Sequence, residues 1–137
     1  MTVAPNSRAQ PQQPCVLVVD PNYQVRDFLR DCLEDAGLAV RVAERGAEAR
    51  SILAAMRVDL AFVEVVLADE DGISLADDAA ALGTKVILMS GHPNGIGRAM
   101  APTYPFLQKP FRLKDALRLV MLKLPQRSGA SPAADSA

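Results

Sequence analysis

Short apolar runs alternate with helix-patterned segments along the middle of this chain, and that alternation restricts the fold more than any other feature. The first run, Cys15-Val16-Leu17-Val18-Val19, is continuous and β-branched and stops at Asp20-Pro21-Asn22, which predicts a strand buried on both faces. Val25, Phe28, Leu29, Cys32, Leu33 and Ala36 then recur at helical spacing, and Gly37 supplies the left-handed residue that ends such a helix. The pattern repeats with a strand over 38–42, a helix over 47–56 carrying Ala49, Ile52, Leu53 and Met56 on one face, and a strand over 59–66. A helix from about 73 to 82 closed by Gly83 leads to a strand over 86–89. A weak strand at 105–108 precedes a last helix marked by Leu113, Ala116, Leu117, Val120, Met121 and Leu124. Strict βα alternation with continuous apolar strands predicts a doubly wound α/β fold, a mostly parallel five-stranded sheet covered by helices on both faces.

Composition sets the size of that fold. The chain has 137 residues, 50% of them hydrophobic, which suits one domain with a single core. Segment 1–14 carries Pro5, Pro11, Pro14 and three glutamines, and segment 125–137 is Pro, Ser, Gly and Ala around two charges; both are expected to be disordered tails. The domain is therefore expected over 15–124, about 110 residues. With 15 Lys+Arg against 16 Asp+Glu the formal net charge is -1, so no field favours nucleic acid, and 4% aromatics with no Trp offer no base-stacking surface. Two cysteines and one histidine cannot build an ordinary structural zinc site, and the two thiols suggest a reduced, cytoplasmic setting. No apolar run approaches the roughly 18 residues of a membrane span, and segment 1–14 lacks a signal peptide's apolar centre, so no membrane partner is expected.

In open parallel sheets the ligand site lies beyond the carboxyl ends of the strands, where the strand order reverses. The polar residues at those ends are Asp20, Glu64, Ser90 and Lys109. Scattered in sequence, they are expected to converge in space.

Four motifs lie in order at these strand ends: VLVVD at 16–20, DLAFVEVVLADEDG at 59–72, VILMSG at 86–91 and Lys109-Pro110-Phe111. Together they resemble the receiver domain of two-component response regulators, over essentially the whole of 15–124. The resemblance implies a CheY-like fold, with five parallel strands in 2-1-3-4-5 order and five helices. It also implies a bacterial phosphorelay setting and a protein partner: a histidine kinase, a phosphotransfer protein or an output protein. Carried over position by position, it matches Asp20 to the first acidic residue of the metal pocket and Glu64 to the phosphorylated aspartate. Ser90 matches the switch hydroxyl, Phe106 the switch aromatic and Lys109 the family's lysine. These residue types suit the chemistry: a divalent metal held by gathered carboxylates neutralises phosphate oxygens, a lysine offsets another, and a hydroxyl donates to a third.

The chain departs from that pattern at two positions. The second residue of the acidic pair falls at Pro21, which has no carboxylate; Asn22 offers only a neutral oxygen, so any Mg²⁺ binding at Asp20 is expected to be weak and no cofactor is assigned. At the acceptor position Glu64 carries an extra methylene, moving the reacting oxygen by about 1 Å, a misplacement that costs on the order of 10²-fold in a positioned reaction. Ordinary aspartyl phosphorylation is therefore not expected. Glu64 instead has the reach to meet Lys109 or the Ser90 hydroxyl and so mimic part of a phosphorylated state, with one negative charge where a phosphoryl group brings nearly two.

Other features have plainer readings. Asp69, Glu70 and Asp71 could supply a substitute metal ligand, but such a run is more often a solvated loop that favours the following helix. The stretch 91–103, with Pro93, Gly95, Gly97 and Pro102, is expected to be a loop or a single turn, so that the fourth helix is short or irregular. It lacks the ending of a phosphate-binding loop. His92 reads as a loop histidine, and Cys15 and Cys32 as small buried hydrophobes. Arg112, Lys114, Arg118 and Lys123 face Asp115 alone on the last helix, a solvated face or a surface for an acidic partner. The expected function is a stand-alone, non-enzymatic signalling module acting by protein contact. The alternatives are a receiver that still answers to metal and phosphoryl groups, a dimerisation or scaffold module, and a small flavodoxin-like enzyme or nucleotide binder, for which no catalytic base or cofactor motif speaks.

Overall fold

The structure is a computed structural model that describes residues 13–99 and 104–124; of the expected tails at 1–14 and 125–137, residues 1–12 and all of 125–137 lie outside the described residues. Strands and helices alternate in chain order: β1 (Cys15–Val19), α1 (Tyr23–Asp35), β2 (Ala39–Ala43), α2 (Gly46–Ala55), β3 (Leu60–Glu64), α3 (Gly72–Ala81), β4 (Lys85–Ser90), α4 (Pro93–Ala99), β5 (Phe106–Gln108) and α5 (Leu113–Lys123). The five strands form one sheet in the order β2-β1-β3-β4-β5, with every pairing parallel. This is the doubly wound 2-1-3-4-5 arrangement anticipated from the motifs.

Burial explains why the central strands lack polar alternation. All five residues of β1 and of β3 are buried, because each strand has a neighbour on both sides and a helix layer on both faces. Leu17, Val19, Ala61, Val63 and Leu88 point into one layer with α2 and α3, whereas Val16, Val18, Phe62, Ile87 and Met89 point into the other with α1 and α5. Leu29 and Leu33 of α1 are fully buried against that second layer, each worth about 1.5–3 kcal/mol relative to exposure. Gly37 (φ 92°) and Gly83 (φ 96°) take the left-handed conformation directly after α1 and α3.

Two expectations need correction. Phe28 is 44% exposed and Met121 64% exposed, and Ala36 is also exposed. The fully buried stripe of each helix is narrower than the apolar spacing suggested: on α1 it follows Leu29 and Leu33, with Val25 partly buried beside it, and on α5 it follows Ala116, Val120 and Leu124, with Leu117 partly buried beside it, leaving Phe28 and Met121 outside. The fourth helix is short, as expected, but the described part of 91–103 is more than a loop or a single turn: α4 is a seven-residue helix over Pro93–Ala99. Pro93 sits at its first position, where a missing N–H costs nothing, so the proline opens the helix instead of breaking it.

The register brings the polar strand ends together. Val19 pairs with Ala43 and Val63, Glu64 pairs with Met89, and Ser90 pairs with Gln108, so Asp20, Glu64, Ser90 and Lys109 all emerge at one edge of the sheet.

Candidate functional site

At that edge Lys109 stands between two carboxylates. Its Nζ donates to Asp20 Oδ2 at 2.5 Å and to Glu64 Oε1 at 2.7 Å. The remaining carboxylate oxygens also have donors: the Asn22 backbone N–H reaches Asp20 Oδ1 at 2.9 Å, and the Val66 N–H reaches Glu64 Oε2 at 2.9 Å. Asp20 is 1% exposed and Glu64 5%, so the two carboxylates are shielded from water, while the Lys109 side chain keeps part of its surface exposed. With two carboxylates and one ammonium the cluster carries one formal negative charge in excess, which the two backbone N–H groups help to offset.

Burial pushes the Asp20 carboxyl above the usual carboxylate range; the hydrogen bond and charge of Lys109 and the hydrogen bond from Asn22 pull the other way without cancelling it. For Lys109 burial works against the ammonium, but its hydrogen bonds to Asp20 and Glu64 and their charges outweigh it, and its pKa stands above the ordinary lysine value.

Local sequence explains how each group is held. Asn22 caps α1, its side-chain oxygen accepting from the Gln24 N–H at 2.8 Å, so that oxygen is turned toward the helix. Arg26, one turn into α1, donates through Nη1 to the carbonyls of Asp20 at 2.8 Å and Pro21 at 3.1 Å, fixing the β1–α1 connection. Ser90 is fully buried, and its Oγ accepts from the His92 N–H at 3.2 Å. Of the two contacts anticipated for Glu64, it makes the one to Lys109; its hydrogen bonds do not include Ser90. Phe106 is half-buried against the core layer of α2 and α3. His92 is exposed, Cys15 is buried and Cys32 is half-buried.

The acidic run is fully committed to structure. Asp69 accepts from the Gly46 and Ala47 N–H groups at 2.8 and 2.9 Å and so caps α2 from another loop, and these bonds hold its carboxyl below the usual range. Glu70 pairs with Arg50 at 2.7 Å, which also reaches Asp78 at 2.8 Å, while Asp71 caps α3 through the Ile73 N–H at 2.9 Å and pairs with Arg98 of α4. None of the three turns toward Asp20 or Glu64. Among the described residues no group of three or more His, Cys, Asp or Glu side chains is placed to hold a metal ion.

Two site features were not read from the sequence. Arg26 lay among other charges with no local signal, since its partners are backbone carbonyls. Gly95 looked like a helix breaker, yet a Cβ there would stand 2.2 Å from Ser90 Oγ and 3.2 Å from Val66 Cγ2. The glycine lets α4 lie directly over Ser90.

Comparison with known proteins agrees with this fold. A sequence model of the response regulator receiver domain matches residues 16–121. The protein PetR of Rhodobacter capsulatus is 27% identical over 126 residues, covering 87% of this chain and 53% of its own length. The transcriptional regulatory protein GltR of Pseudomonas aeruginosa is 42% identical over 60 residues, covering 44% of this chain and 25% of its own. The chain thus spans a quarter to about half of the length of these relatives. Among solved structures, a CheY-like receiver domain protein from Methanospirillum hungatei superposes with a TM-score of 0.74 at 23% identity, covering 82% of this chain and 94% of the other.

Proposed function

The chain belongs to the response regulator receiver domain family, and we propose that within two-component signalling it works by protein–protein contact, without ordinary aspartyl phosphorylation and without catalytic activity of its own. The observation that carries this reading is the Lys109 ammonium bridging Asp20 and Glu64 at 2.5 and 2.7 Å. It occupies the position between the acidic residues that a divalent cation would need.

The donor set does not fit a magnesium site. Mg²⁺ requires near-octahedral oxygen coordination at about 2.0–2.1 Å with charged carboxylates. Here all four carboxylate oxygens already accept hydrogen bonds, Pro21 contributes no side-chain oxygen, and the Asn22 oxygen caps a helix. With Glu64 in place of aspartate, the nucleophilic oxygen is both displaced and tied to a cation that withdraws its charge. The ion pair therefore holds the strand ends together permanently, a state gated by partner availability. A partner of the kinds that receivers serve, a kinase, phosphotransfer or output protein, would meet this fixed surface.

Incubation of the chain with acetyl phosphate and Mg²⁺, followed by mass spectrometry, tests the reading. The expected result is an unchanged mass. Metal-dependent gain of one phosphoryl group, lost in Glu64→Gln, would overturn it.

A further inference from the structure

The first turns of α1 and the β5–α5 connection border an open cleft of about 480 Å³ that Lys109 also lines. Its walls are apolar: Val25 and Phe28 come from α1, Pro110 and Phe111 from the connection. Phe28 keeps 44% of its surface exposed, although its neighbour Leu29 is fully buried. The polar lining is two amides, Asn22 and Gln24, and among the described residues the one ion is Lys109. An apolar hollow with a few convergent polar groups is the usual form of a small-molecule site, for which volumes of about 300–1,000 Å³ are typical. The Lys109 ammonium has a donor to spare. Of its three N–H groups two go to Asp20 and Glu64, the third has no partner among the described residues, and the side chain is 21% exposed.

We infer that this cleft binds an uncharged, flat aromatic molecule bearing a carbonyl oxygen, with its rings against Phe28 and Phe111 and its oxygen accepting from Lys109. Charge selects the class. A carboxylate ligand would add to a cluster that already holds one negative charge in excess, and a cationic one would stand beside the ammonium. A neutral acceptor takes the third N–H at neither cost, and a hydrogen bond to a charged donor is among the stronger ones. Flatness follows from the walls, since phenylalanine rings from both bordering elements reward stacked or edge-to-face contact. Lys109 bridges the ends of β1 and β3, so occupancy would bear directly on that pairing, an input that needs no phosphoryl group. The inference rests on the reading above only in supposing that the input is not phosphoryl transfer. A failed ligand titration leaves the phosphodonor result standing, and phosphoryl labelling of the chain would leave the ligand result standing.

The test titrates the full chain, isotope-labelled, with three naphthalenes of similar size and follows backbone amide shifts: 2-acetylnaphthalene, neutral with a ketone; 2-ethylnaphthalene, which has no acceptor; and 2-naphthoate, an anion. The ketone is expected to saturate a single site and to shift the Val25, Phe28 and Phe111 amides. The other two should bind at least about tenfold more weakly, and so should the ketone to Phe28→Ala. Phe28 is exposed and alanine suits a helix, so circular dichroism of the variant is expected to match the native chain. Equal affinity for 2-ethylnaphthalene would overturn the proposal in favour of plain apolar adsorption, and equal affinity for 2-naphthoate in favour of an anion site. Unchanged affinity in Phe28→Ala, or shifts centred on other elements, would place the ligand elsewhere. The same amides shifting with protein concentration and no ligand would make the occupant a second copy.

Discussion

Lys109 holds two buried carboxylates together, and its removal exposes how the charges balance. Lys109→Met keeps much of the stem but leaves Asp20 and Glu64 facing one another without a cation. Breaking a buried pair in this way costs about 3–5 kcal/mol, so urea unfolding at pH 7 should show a loss of that order. The loss should shrink toward acid pH as the Asp20 carboxyl, raised by burial, takes up its proton; a pH-independent loss would mean that packing, not charge, had been removed. Asp20 behaves differently. Its folded pKa is raised by burial, so the folded state holds this proton more tightly than the unfolded chain does. The stabilisation this gives is fully present below the unfolded pKa and is lost as pH rises through the folded one, which leaves the charged form a burden at neutral pH. Asp20→Asn still offers an oxygen to the Asn22 N–H and leaves Lys109 paired with Glu64. Its unfolding free energy at pH 7 should equal the native one or exceed it by about 1 kcal/mol, and a clear fall would contradict this balance.

Between elements, the sharpest constraint is the seat of α4 on the end of β4. Gly95→Ala places a methyl group 2.2 Å from Ser90 Oγ, so either α4 lifts or Ser90 must turn. Over-packing of this kind costs about 1–3 kcal/mol, and amide exchange in α4 should quicken. Gly97, one position on from its neighbour Ile96, has nothing within 4 Å of its would-be Cβ, so Gly97→Ala should stabilise the same helix by about 0.5–1 kcal/mol. Two glycines in one short helix thus have opposite expected signs, and equal responses would show that α4 does not rest on Ser90. The remaining ties are polar: Arg98 joins α4 to the cap of α3 at Asp71, and Tyr104 donates to Asp77 of α3 at 2.6 Å. Arg50 links α2 to the β3–α3 connection and to α3, so the loop after Glu64 is held from two sides.

Over the whole molecule, the two departures at the strand ends act as one. Glu64→Asp restores the acceptor type but not the missing acid, and Pro21→Asp supplies the acid beside an acceptor that still reaches Lys109. Neither single variant should gain a phosphoryl group from acetyl phosphate and Mg²⁺, whereas the double variant should; labelling of Glu64→Asp alone would show that Pro21 is no obstacle. By itself the sequence determined the alternating strands and helices, the family, and the gathering of Asp20, Glu64, Ser90 and Lys109, because strand burial and βα order are local patterns with one compact solution. It also showed that Pro21 and Glu64 depart from the usual acidic set, since that is a matter of residue type. Only the tertiary structure decided which partner each charge takes. Lys109 divides itself between Asp20 and Glu64, Ser90 turns to His92 instead of Glu64, and Asp69, Glu70 and Asp71 go to helix caps and arginines. Each of those choices is made across distant segments over a few ångströms, and distances of that size are set by packing, where a single methylene or a missing Cβ shifts the balance.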